Sequence, residues 1–167
     1  NFRMSELQGA LGLVQAAKMQ QAISMTRKTK STILDTVKKT GLELRDLPDR
    51  EGEIATQIVF LLPTPEKASL FQKTVKEAGA GCSILSGNTW HYAKHWTTLK
   101  EGAMYSRTRC PYDCPYVEEM PLYRPLEWER TEKILSRAVM FGLNIVMDDA
   151  RVEKLITAIK AGAKAAL

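Results

Sequence analysis

A chain of 167 residues, 44% hydrophobic and 26% charged, has the balance of one globular domain, which excludes disordered and fibrous classes. Folding at that length removes roughly 70% of the unfolded chain's surface from water, so a core can form. The net charge of +5 does not point to nucleic acid. Its one cluster, Arg27, Lys28 and Lys30 with Lys38 and Lys39 further on, lies in a helical segment without interleaved aromatics and reads as a solvated helix face.

The first predicted element is a helix starting at Ser5, where Ser5 and Gln8 have the spacing of a capping box. Met4, Leu7, Leu11 and Val14 follow three and four apart and make one apolar stripe. Gly9 and Gly12 weaken the helix by roughly 1 kcal/mol each relative to alanine, which suggests close approach by another backbone. The stripe therefore packs either into this domain's own core or against a second subunit. Helical character runs through Ile23 and Ile33 to Val37, and Gly41 is a natural stop.

Asp46 to Glu53 is charged, contains Pro48 and reads as an exposed loop. Ile58 to Leu62 is a short apolar run ended by Pro63, which predicts a buried strand. Thr64 then caps a helix with Pro65 in its first turn, Ala68, Phe71, Val75 and Ala78 on its apolar face and Gly79 at its end. Ile84 and Leu85 belong to a second strand.

From Gly87 to Arg124 periodicity is lost and aromatics accumulate, the composition expected of a long functional loop and the place where substrate is expected. A short helix carries Trp128, Ile134 and Leu135, Ala138 to Val146 reads as a strand interrupted at Gly142, and Asp148 or Asp149 caps a last helix through Ile159. Strands separated by helices give an α/β fold with a small sheet covered by helices on one face.

No apolar run approaches the roughly 20 residues that span a bilayer, and no export signal opens the chain, so a soluble cytoplasmic protein is expected. The start at Asn1, directly before a helical pattern, points to a piece of a longer protein. Cys82, Cys110 and Cys114 are an odd count and read as reduced thiols. A structural zinc needs four ligands, and only Cys82, His91 and His95 are left to join Cys110 and Cys114, so no metal is expected.

The opening run Asn1-Phe2-Arg3-Met4-Ser5-Glu6-Leu7-Gln8, continuing into Ala10-Leu11-Gly12-Leu13, closely resembles a stretch of the DegT/DnrJ/EryC1/StrS family of pyridoxal-phosphate-dependent sugar aminotransferases. In that family the stretch follows the cofactor lysine and opens the long helix that links the large domain to the small C-terminal one. The order of the later elements fits the same layout. The resemblance implies the C-terminal small domain of a fold-type I aminotransferase: a linking and interface helix over residues 1–41, and a small α/β domain over 42–167 with a mainly antiparallel sheet covered by helices. The large cofactor-binding domain and its lysine would lie upstream, so no catalytic residue is expected within this sequence.

The resemblance also assigns roles. Asn1 matches the asparagine that reaches across a homodimer to the cofactor phosphate of the neighbouring active site, and Arg3 matches an arginine that supports the interface. His91 and Tyr92 resemble the family's His-Tyr pair in the loop approaching the sugar, although the prolines that usually follow are replaced here by Ala93-Lys94-His95-Trp96. Trp90, His91 and Tyr92 with Trp96 are similar to the octulosonate transaminases, which aminate eight-carbon acidic sugars. Lys94, Arg107 and Arg109 are either cations for a sugar carboxylate or solvated loop residues. The implied reaction moves an amino group from an amino acid donor, glutamate above all, to a keto sugar for cell-surface polysaccharide or secondary-metabolite synthesis, with homodimeric shared sites and neither nucleic acid nor membrane as partner. A sugar dehydratase of the same family and a non-catalytic sugar- or protein-binding module remain the alternatives.

Overall fold

The computed structural model describes residues 3–103, 107, 112, 115–116, 118 and 128–167. Along them lie five α-helices and four strands: α1 Glu6–Val37, β1 Glu43–Leu44, β2 Gln57–Leu61, α2 Pro65–Glu77, β3 Ser83–Ile84, α3 Thr97–Glu101, α4 Glu129–Leu135, β4 Ala138–Gly142 and α5 Asp149–Ala166. The fold is mixed α/β. Its sheet runs β1-β2-β4-β3 and every pairing is antiparallel, with Ile58 opposite Phe141 and Phe60 opposite Val139 at the centre.

Alternation places Ile58, Phe60 and Leu62 on the same side of the sheet as Val139, Phe141 and Leu143. Helices α2 and α5 cover that side through Phe71, Val75, Leu155, Ala158 and Ile159, as expected from the sequence. Phe141 is the pivot: the rings of Phe60 and Phe71 meet it edge-on, each at 6.1 Å between centroids. At Gly162 a Cβ would come within 2.9 Å of both Phe71 and Val75, so glycine is what lets α5 seat on α2.

The cap chemistry is local and follows the sequence. The Ser5 amide donates to Gln8 Oε1 at 2.9 Å while the Gln8 amide donates to Ser5 Oγ at 3.2 Å, the reciprocal pair predicted. Thr64 and Asp148 cap α2 and α5 by accepting from the amides of Lys67 and Arg151. Gly41 ends the first helical segment at φ 78°, a left-handed conformation that favours glycine.

Three expectations need correction. The β4 strand ends at Gly142 and not at Val146, because its partner β2 begins at Gln57; beyond it only the Leu143 amide, donating to the Thr56 carbonyl at 2.8 Å, continues the pairing. Leu85 leaves the sheet for a 3-10 turn over Leu85–Gly87, and Glu43–Leu44 forms an edge strand that the sequence did not announce. The cationic cluster on α1 is not all solvated. Lys28 is exposed, but Lys30 is buried, with both Glu53 carboxylate oxygens 2.6 Å from its Nζ.

That ion pair belongs to a strap. Thr26 Oγ1 donates to the Ile54 carbonyl at 2.6 Å, Arg27 Nε donates to the Glu53 carbonyl at 2.8 Å, and Arg45 approaches Glu53 at 3.6 Å. Residues Glu51 to Ala55 are thus tied to the middle of α1, and Ala55 takes φ 65°, a strained conformation for a residue with a side chain. The strap fixes how α1 leaves the domain. Its 32 residues, about 48 Å at the usual rise, bury Thr26, Lys30, Ile33 and Val37, whereas residues 10–21 are exposed throughout.

Candidate functional site

The loop expected to face substrate begins as a tight turn at Asn88. Its Oδ1 accepts from the amides of Trp90 at 2.9 Å and His91 at 3.0 Å, and its carbonyl accepts from the Tyr92 amide at 3.2 Å. A 3-10 turn at Ala93–His95 and the short helix α3 follow.

This geometry sends the three predicted site residues in different directions. Trp90 is 82% exposed and His91 is also open to solvent, whereas Tyr92 is buried. The Tyr92 hydroxyl donates to Glu132 Oε2 at 2.7 Å, and its ring meets Trp128 edge-on at 6.1 Å. Lys94 Nζ donates to the same Glu132 oxygen at 2.8 Å. His95 packs edge-on against Tyr92 at 5.4 Å, and its Nε2 lies 2.6 Å from the Ser86 carbonyl oxygen. A carbonyl only accepts, so Nε2 carries the proton and Nδ1 is the other ring nitrogen in play. Trp96 Nε1 donates back to the Trp90 carbonyl at 3.1 Å and closes the loop on itself.

The electrostatics follow from these bonds. Lys94 and the Tyr92 hydroxyl, both donating to Glu132, hold its carboxyl below the ordinary glutamate range. Burial, then the hydrogen bond to Glu132, pushes the Tyr92 phenol up to about 12. Elsewhere, burial raises the Cys82 thiol to about 11, which keeps it protonated and unreactive at neutral pH.

Beside this cluster, Pro63, Ala93, Lys94, Trp128, Glu132 and Arg137 help to line an open cleft of about 1140 Å³. Apolar Pro63, Ala93 and Trp128 share its walls with charged Lys94, Glu132 and Arg137, so hydrophobic surface and charge meet in one cleft. Arg137 is built into the wall by donating to the carbonyls of Leu62, Pro63 and Lys133.

Several expected participants lie outside the described residues: Asn1, Arg109, Cys110 and Cys114. Arg107 is described and exposed. Sequence reasoning overlooked Asn88, although Gly87-Asn88 is a turn signal. It also overlooked Glu132, one acid among several on a short polar helix, which no sequence signal sets apart.

Pyridoxal phosphate requires a lysine free to join it and donors for its phosphate. Among the described residues, buried Lys30 is committed to Glu53, and Lys94, the lysine of the candidate loop, to Glu132. No known protein-family profile matches the chain. No described helix is long and apolar enough to cross a membrane.

Proposed function

We propose that this chain is the linking helix and small C-terminal domain of a pyridoxal-phosphate-dependent sugar aminotransferase, working in the cytoplasm as a homodimer with shared active sites. The observation that carries the reading is the opening motif, Asn1 to Leu13, joined to the helix start it specifies. Its Ser5 and Gln8 make the reciprocal cap, and 32 helical residues follow.

The cofactor, held by a lysine outside these residues, supplies the amino carrier of the transfer. This chain's own part is recognition and assembly. Trp90 and His91, presented outward by the Asn88 turn, offer an aromatic face and an imidazole to a keto sugar and its hydroxyls, and Tyr92 buttresses them from within. The exposed stripe of α1 covers the neighbouring subunit and brings Asn1 to that subunit's cofactor phosphate, where an amide is a suitable donor.

The complete protein, loaded with pyridoxal phosphate, should lose the cofactor's visible absorbance band on adding glutamate and regain it on adding a keto sugar. His91→Ala should slow the sugar stage at least tenfold and the donor stage less than twofold. Equal losses in the two stages would make His91 a structural residue, and no spectral response to any amino donor would overturn the reading.

A further inference from the structure

Glu132 stands 40 residues from Tyr92 in sequence, yet one of its oxygens holds both anchor points of the candidate substrate loop. Tyr92 and Lys94 are two apart, and both reach Glu132 Oε2, at 2.7 and 2.8 Å. Trp128, four residues before Glu132 and therefore on the same face of the helical turn, packs edge-on against the Tyr92 ring. The start of α4 thus grips the loop through one carboxylate and one indole. On the far side of that grip, Trp90 and His91 point to solvent from a turn whose inner end is Tyr92.

We propose that Glu132 is a positioning residue: its bonds to Tyr92 and Lys94 latch the Asn88–Trp96 loop to α4 and set the direction in which Trp90 and His91 are presented. The expected effect on sugar recognition rests on the aminotransferase reading; the latch itself does not. A carboxylate accepting two donors, one of them cationic, is short of neutral replacements. Glutamine can still accept from the Tyr92 hydroxyl but offers Lys94 no charge. Alanine offers neither donor a partner and leaves the buried phenol without one.

Charge around the latch sets its pH range. Lys94 and His95 come from the loop, Lys100 from α3, Glu129 and Lys133 from α4 itself and Arg137 from just beyond it. Glu129 is answered by Lys133 at 2.8 Å, so the surroundings of Glu132 are predominantly cationic. The Glu132 carboxyl is depressed in the folded state, first by the Lys94 bond, so its contribution is present above the ordinary glutamate value of 4.5 and is lost as pH falls below it. The Tyr92 phenol is raised to about 12, so its contribution is complete below the ordinary value of 10.0 and is lost as pH rises toward 12. Between these limits the latch is closed.

Hydrogen exchange on the 167-residue chain, resolved by peptide, tests the latch without any substrate. Glu132→Ala should speed exchange over residues 89–96 at least tenfold and leave α2 and α5 unchanged, and Glu132→Gln should fall between it and the wild type. Correcting for intrinsic rates, the wild-type loop should lose protection as pH drops from 5 to 3, and Glu132→Gln should show no such step. Unchanged loop exchange in Glu132→Ala would overturn the proposal, and so would a loss spread equally over α2 and α5. In the complete enzyme the same alanine variant should raise KM for the keto sugar about tenfold and leave the donor stage within twofold. Equal effects on both stages would reduce Glu132 to a structural role and overturn positioning. If the wild type shows no sugar stage at all, the aminotransferase reading falls and the exchange result alone decides on the latch.

Discussion

At the scale of single residues, the Lys30–Glu53 pair carries an asymmetric expectation. Lys30 is 7% exposed at its side chain and Glu53 is 17% exposed, so each charge depends on the other and little on water. Glu53→Ala strands an ammonium in the interior and should cost about 3 kcal/mol or more, the usual penalty for breaking one half of a buried pair. Lys30→Met removes the buried charge and leaves the carboxylate with Arg45 at 3.6 Å, so it should cost about 1 kcal/mol. Denaturant melts of the two variants give the comparison, and equal losses would mean that the pair is solvated. This residue shows how far sequence reaches. A lysine beside Arg27 and Lys28 reads as one more solvated cation, because its partner lies 23 residues away and is brought to it only by the strap.

At the scale of elements, short-range chemistry was legible and long-range pairing was not. Ser5 with Gln8, Thr64 with Pro65 and Gly41 placed helix boundaries, and the Asp148-Asp149 pair placed the start of α5 to within one residue, because caps and left-handed stops depend on residues within one turn. The overrun of β4 and the unannounced β1 are both questions of which strand lies opposite, which the local pattern at Ile145-Val146 or Glu43-Leu44 does not encode. In the candidate site, Trp90, His91 and Tyr92 stood out by type, whereas Asn88 and Glu132 are defined by what folds against them.

The stripe on α1 is the element with the clearest unmet need. Met4, Leu7, Leu11 and Val14 are between 51 and 80% exposed, and among the described residues no other part of the chain comes within 4 Å of a Cβ built at Gly12. Packing into this domain's own core is therefore not what the stripe does here. With each buried leucine contributing about 1.5 to 3 kcal/mol, a second subunit laid along it would be held chiefly by these side chains. Leu7→Asp with Leu11→Asp should convert the complete protein from dimer to monomer in sedimentation, without shifting the helix content. A variant that remains dimeric would place the interface elsewhere.

On the scale of the whole molecule, the strapped α1, the helix-covered antiparallel sheet and the loop latched by α4 form one layout: an arm that extends from the domain and a loop presented beside a cleft. Under the proposed function the arm meets a second subunit and the loop meets a sugar, while the lysine that carries the cofactor belongs to neither. The measurement that bears most directly on this division of labour is the position of the cofactor. The complete protein, incubated with pyridoxal phosphate, reduced with borohydride and digested, should carry one stoichiometric label by mass spectrometry, on a lysine that precedes Asn1. A stoichiometric label on any lysine within these 167 residues, or none anywhere, would contradict the account.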